Sequence, residues 1–278
     1  MRVACIQMRS GIHRAENIPV AVDLIRKAAA DGATFIATPE MTNVVDRKPR
    51  RLFEDLPFAE GLNEAETFAS LAAELNIHLL IGSMAVALNK EFGQRKMANR
   101  AHFFAPGGGR ATYDKIHLFD VDLPTGESWR ESNTIEGGDE AVLVQTPFGG
   151  VGLSICYDVR FPHLYRRLAQ GAADILAVPA AFTVPTGEAH WETLLRARAI
   201  ETGSFVMAPA LGGTHEDGRV TYGHSRLFDP WCRIGAEKAD NEPGVLLADI
   251  DVAMVQDTRA RIPSLGLERD ANLRTYTL

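Results

Sequence analysis

Short, near-continuous apolar runs alternate with helical stripes along most of this chain, and that alternation constrains its fold more than any other feature. Residues 3–8, 34–38, 77–86 and 101–104 read as strands in the first half, and 174–178, 205–209, 225–228 and 245–250 in the second. A strand apolar on both faces needs cover on both, so sheets layered with helices are expected. Between the first two runs, Ile18, Ala21, Val22, Ile25, Ala28 and Ala29 share one helical face, and Gly32 is placed to end that helix in a left-handed cap. Ala65, Phe68, Ala69, Ala72 and Leu75 mark a second helix, with Asn63 as its cap and Glu66 three residues on. Trp191, Leu194 and Leu195 keep core spacing in a third, near 191–201, where Glu192 and Arg196 pair across one turn and account for each other.

From about residue 98 to 155 the pattern changes to hairpins, with turns at Pro106-Gly107-Gly108-Gly109 and Pro147-Phe148-Gly149-Gly150. The glycines fit neither GxGxxG nor GxxxxGK[ST], which removes the usual nucleotide loops. Residues 211–220 read as a polar loop able to shape an entrance. Without a linker, a composition break or a visible internal repeat, the 278 residues read as one domain, 1–278, with 263–278 as a C-terminal tail.

A net charge of -7 argues against nucleic acid as a partner, because phosphate binding relies on clustered Lys and Arg. The short basic run Arg47 to Arg51 contains Pro49 and fits a solvated loop or the rim of a substrate entrance. No stretch approaches the ~18 apolar residues of a membrane span, and the first residues lack a charged leader, so a cytoplasmic location is expected. Cys5, Cys156 and Cys232 are scattered, odd in number and without CxxC spacing, which disfavours a disulfide framework or a zinc site. Cys5 and Cys232 are expected to be inert packing residues.

Val151, Leu153 and Ile155 alternate with Gly152, Ser154 and Cys156 before Tyr157-Asp158-Val159-Arg160-Phe161-Pro162. A strand that ends in a sharp turn at a cysteine exposes that thiol and aims the following N–H at a developing oxyanion. GLSIC is a near miss for GxSxG, with Cys in place of the last glycine, so Cys156 is preferred to Ser154 as nucleophile. Alone, Cys156 reads equally as a small buried hydrophobe. Glu40 follows an apolar strand through Pro39, at the end where α/β sheets build sites, and Lys115 sits in an apolar, strand-like context. Each is also explained as an exposed charge.

Taken together, Ala37-Thr38-Pro39-Glu40, Tyr113-Asp114-Lys115-Ile116-His117-Leu118-Phe119 and the run from Gly152 to Pro162 resemble the nitrilase superfamily of carbon–nitrogen hydrolases. The resemblance reaches from the first strand to about Ile262. It implies a four-layer αββα sandwich, dimerised through helices, and a catalytic Glu40, Lys115, Cys156 set that needs no metal or organic cofactor. It also places Glu131 where many members carry a second glutamate, here expected to orient the Lys115 ammonium. The implied chemistry is attack by Cys156 on an amide carbonyl while Glu40 takes the proton, with Lys115 and the Tyr157 N–H holding the oxyanion. A thioester and then water complete the cycle.

The motif contexts resemble the Nit branch, which acts on small α-keto amides. Deaminated glutathione is the favoured substrate, with omega-amidase action on α-ketoglutaramate or α-ketosuccinamate as the alternative. Phe182, Thr183 and His190 are candidates to contact substrate. Arg160 is a candidate carboxylate anchor, although a structural pairing with Asp158 or Glu201 is the preferred reading of it. A silent scaffold of the same fold, and acyl transfer to an amine, use the same residues and stay open.

Overall fold

A computed structural model describes residues 1–56, 58, 63–88, 96–123 and 126–277. The first half builds β1 (Arg2–Gln7), α1 (Arg14–Ala30), β2 (Phe35–Ala37), α2 (Pro49–Asp55), α3 (Asn63–Leu75), β3 (His78–Ala87), β4 (Met97–Phe104) and β5 (Arg110–Asp114). A small hairpin, β6 (Asp120–Asp122) with β7 (Ser128–Arg130), leads to β8 (Leu143–Thr146), β9 (Gly149–Leu153), α4 (Pro162–Gln170) and β10 (Ala173–Ala177). Then come α5 (Val184–Thr186), α6 (Glu192–Thr202), β11 (Phe205–Ala208), β12 (Gly212–Thr214), β13 (Val220–Tyr222), β14 (Arg226–Phe228), β15 (Ile234–Glu237), β16 (Gly244–Asp249) and α7 (Ala253–Arg261).

The strands form two six-stranded sheets, ordered β16-β1-β2-β3-β4-β5 and β15-β14-β11-β10-β9-β8. In each, three central strands run parallel while the remaining pairings are antiparallel, so β5-β4-β3-β2-β1-β16 and β15-β14-β11-β10-β9-β8 have the same pattern. The topology is therefore duplicated although no repeat is visible in the residues: each half keeps the strand periodicity and changes the side chains.

Side-chain alternation assembles the layers. Val3, Cys5, Phe35 and Ala37 of the first sheet join Val151, Leu153, Ile175 and Ala177 of the second in one buried cluster. The alternate residues Ala4, Ile6, Ile36 and Leu79 pack on Ala21 and Ile25 of α1 and Phe68 and Leu71 of α3. Leu164 and Leu168 of α4 and Leu195 and Ala199 of α6 cover the second sheet. Burying each large side chain contributes about 1.5–3 kcal/mol, enough to hold four layers together. The result is an αββα sandwich.

Three local expectations change. Residues 211–220 are a polar loop only in part: Leu211 is buried and β12 pairs with β13, while 215–219 form the turn between them. Gly212 and Gly213 hide this strand from propensity. The Arg47 to Arg51 run is not a loop throughout, since Pro49 starts α2, where a missing N–H costs nothing, but its other reading as the rim of an entrance holds, because Arg47 and Pro49 line the main cleft. Asn63 is the first residue of α3, so the capping position falls on residue 62, outside the described residues. Gly32, with φ of 90°, does follow α1 in the left-handed region.

Candidate active site

β2 delivers Glu40 into a turn braced on every side. Thr38 Oγ1 lies 2.7 Å from Thr42 Oγ1, Gly82 N–H donates to Thr38 Oγ1 at 3.1 Å, and Met41 N–H donates to Ser83 Oγ at 2.9 Å. A Cβ at Gly82 would stand 2.1 Å from the Thr38 carbonyl oxygen and 2.4 Å from Pro179 Cβ. Only glycine allows β3 this close to the glutamate turn. Glu40 is buried, not an exposed acid.

Lys115 follows β5 directly and is also buried, its N–H donating to the Asn99 carbonyl at 3.0 Å. Its ammonium donates to Glu40 Oε1 and to both oxygens of Glu131, each at 2.9 Å. Burial works against this charge, but Glu131 and Glu40 outweigh it and hold the ammonium well above the usual lysine range. Glu131 is fixed in turn by the Phe119 N–H at 2.6 Å. Asn99 Nδ2 donates to Glu40 Oε1 at 2.9 Å and reaches Glu131 Oε1 at 3.4 Å. Asn99 escaped sequence reasoning because an asparagine within β4 carries no motif; its place opposite two carboxylates appears only on folding.

Cys156 ends the β9 segment with φ of 49°, a left-handed conformation that costs a non-glycine residue on the order of 1–3 kcal/mol. Its N–H donates to the Pro179 carbonyl at 2.8 Å, and its thiol faces Glu40 and the Ala181 N–H. Burial, then the Glu40 charge, push the thiol well above the usual range, with Lys115 pulling the other way. The resting sulfur is therefore a neutral thiol. Ser154 points inward to Tyr165 Oη and the Ala177 carbonyl, at 2.6 and 2.7 Å.

Asp158 is fully buried and accepts the Tyr113 hydroxyl at 2.7 Å, the Ile155 N–H at 2.9 Å and the His117 N–H at 3.0 Å, and His117 Nδ1 takes the remaining place at 2.7 Å. It consequently has no capacity left for Arg160, and Glu201 pairs with Arg198 at 2.7 Å. The expected structural pairing of Arg160 is thus wrong. Its guanidinium lies 5.8 Å from the Tyr157 ring centroid and 5.5 Å from that of Phe182, and it meets no carboxylate among the described residues. Its one polar partner among the described residues is His190 Nδ1, at 3.3 Å.

Glu40, Lys115, Glu131, Cys156, Tyr157, Arg160, Phe182 and Thr183 all line one cleft of about 560 Å³. His190 does not line it: it is exposed, in a π-helical turn before α6, and reaches the cleft only through Arg160. Arg219, within the misread segment, and Trp129 do line it. Cys5 is buried elsewhere, its thiol pushed up to about 12 by burial, and Cys232 touches Arg196. Glu192 does meet Arg196, at 2.8 Å, and is shared with Arg226. Among the described residues no group of His, Cys, Asp and Glu side chains is arranged to hold a metal ion, and no helix is long and apolar enough to cross a membrane.

A cleft at the strand ends, with a buried amine between two carboxylates beside a thiol, is equipped for acyl chemistry. The profile of the carbon-nitrogen hydrolase family matches residues 2–260, and the chain belongs to that family. It is 39% identical over 265 residues to a deaminated glutathione amidase of Synechocystis, covering 94% of this chain and 96% of that protein. Against the mouse deaminated glutathione amidase it is 40% identical, covering 94% of this chain and 81% of the relative. The crystal structure of the C. elegans NitFhit protein superposes with a TM-score of 0.85 at 33% identity, over 96% of this chain and 65% of that one. The protein is a carbon–nitrogen hydrolase of the amidase kind.

Proposed function

We propose that the enzyme hydrolyses the amide bond of deaminated glutathione through a Cys156 thioester, with Glu40 as base and acid and Lys115 as oxyanion partner. The observation that carries this reading is the 2.9 Å contact of Lys115 with Glu40, both buried, beside the Cys156 thiol. A neutral thiol needs a base at the moment of attack, and Glu40 faces it. Glu40 takes the proton as sulfur adds to the carbonyl, then returns it to the departing amine. The oxyanion is held by Lys115 and by the Tyr157 N–H that follows the elbow. Water then attacks the thioester, Glu40 again taking its proton. Glu131 positions the ammonium.

The unpaired Arg160 guanidinium supports a carboxylate on the acyl portion, packed over Phe182 and Thr183, and relatives named for deaminated glutathione support that acyl group. His190 acts by orienting Arg160. Residues 1–278 act as one domain in the cytoplasm. Exposed Ile200, Trp231 and Ile262 favour a homodimer joined through that surface.

The test incubates the wild type and Cys156→Ala with deaminated glutathione and with α-ketoglutaramate. α-Ketoglutarate is followed from both and ammonium from the second. Faster turnover of the tripeptide, lost in the variant, supports the proposal. A preference for α-ketoglutaramate assigns omega-amidase action, and no turnover of either refutes the α-keto amide reading.

A further inference from the structure

Four guanidinium groups line the cleft. Arg130 is taken by Asp122 at 2.9 Å and Arg219 faces Asp217 at 3.7 Å, which leaves Arg160 and Arg47 with no ion pair among the described residues. Arg47 and Arg219 lie together over one ring: their guanidinium carbons stand 5.4 and 5.1 Å from the Trp129 centroid. Arg47 has no carboxylate partner among the described residues. Arg219 has Asp217 Oδ2 only at 3.7 Å, beyond hydrogen-bond reach, and its Nε is buried with no partner. Trp129 Nε1 is likewise buried and unpartnered. Two cations and two unsatisfied buried donors around one indole form a site complementary to an anion with acceptor oxygens.

An aromatic row joins this cluster to Arg160. Trp129 meets Phe119 at 6.2 Å, Phe119 meets Tyr157 at 5.1 Å, and Arg160 lies over Tyr157. Cations thus occupy both ends of the row, with Phe119 and Tyr157 between them, and Cys156, next to Tyr157 in the chain, lines the same cleft. An α-keto amide of ammonia carries one carboxylate and satisfies one end. We propose that Arg47 and Arg219, over Trp129, form a second carboxylate subsite for the leaving group, so that the enzyme prefers amides bearing a carboxylate on each side of the scissile bond. This rests on the amidase reading above and deepens it, since it selects a peptide-like amine over ammonia as the product. Burial holds Arg219 below its usual range against the opposing charge of Asp217, with Arg47 adding to the shift, and a bound carboxylate favours the charged guanidinium.

The experiment measures kcat/KM of the wild type, Arg47→Gln, Arg219→Gln and the double variant on three amides. These are deaminated glutathione, the same molecule with its C-terminal carboxylate converted to carboxamide, and α-ketoglutaramate. The wild type is expected to favour the acid over the carboxamide by about tenfold or more, mainly through KM. The double variant should erase that preference while keeping the ratio between carboxamide and α-ketoglutaramate. Arg47→Gln, at an exposed residue, should show part of the same change. Equal turnover of acid and carboxamide by the wild type, or an equal loss on all three amides in every variant, overturns the subsite and leaves the amidase reading standing. Wild type inactive on all three overturns the amidase reading, and the subsite with it.

Discussion

The Tyr113 hydroxyl donates to Asp158 at 2.7 Å, joining the strand before Lys115 to the elbow of Cys156 across 45 residues of sequence. Asp158 has no exposed surface, and its other partners, the Ile155 N–H, the His117 N–H and His117 Nδ1, come from the same two segments. The position of amine against thiol therefore depends on one carboxylate. Asparagine there turns an NH2 toward groups that are themselves donors. Asp158→Asn should cost about 3 kcal/mol of stability by urea unfolding and lower kcat, with KM changing less. An unaltered kcat would remove Asp158 from the positioning role.

Gly82 separates the Glu40 turn from Pro179, whose carbonyl receives the Cys156 N–H. A methyl group there must push one of them aside. Gly82→Ala should cost about 1–3 kcal/mol and reduce turnover far more than that loss of folded protein explains. Thermal unfolding and turnover of the folded fraction separate the two effects.

Because burial and Glu40 keep Cys156 protonated, its reactivity should rise with pH. Alkylation by iodoacetamide is expected to climb about tenfold per pH unit through and beyond pH 9, with no plateau near neutrality. Cys5, pushed up to about 12, should label only on unfolding. A constant Cys156 rate between about pH 6 and 8 would indicate a standing thiolate, against the base role proposed for Glu40.

His102 is buried with Nε2 unpartnered, and burial pushes it down to about 4. Below its ordinary value of 6.5 the unfolded chain binds a proton that the folded chain refuses, so stability falls as pH drops from 6.5 toward 4. The loss is on the order of 3 kcal/mol across that window. His102→Leu should flatten this part of the curve of Tm against pH, whatever its effect on Tm at neutral pH. An unchanged slope would place the acid sensitivity elsewhere.

Much of the site was legible because its chemistry is concentrated in three short motifs and the thiol ends an alternating strand. The central strands were legible as apolar runs, since a strand covered on two faces must be apolar throughout, whereas the half-exposed β5, β8 and β15 were not. Their order was not, because strand pairing depends on crossovers that local periodicity does not encode. Asn99 was invisible for a related reason: it gains meaning only beside Glu40 and Lys115, distant in sequence. The setting of Arg160 is not legible either, because the sequence does not show that Asp158 is filled by Tyr113, Ile155 and His117 and Glu201 by Arg198. Arg219 lay in a glycine-rich segment whose β12–β13 pairing the residues do not advertise.

An acyl group carried on Cys156 is tested by rapid quenching of the enzyme during turnover of deaminated glutathione, followed by mass spectrometry of its peptides. An α-ketoglutaryl thioester is expected on the peptide containing Cys156, absent from an inactive Cys156→Ala variant. Turnover retained by Cys156→Ala, or an acyl group found on another residue, would contradict it.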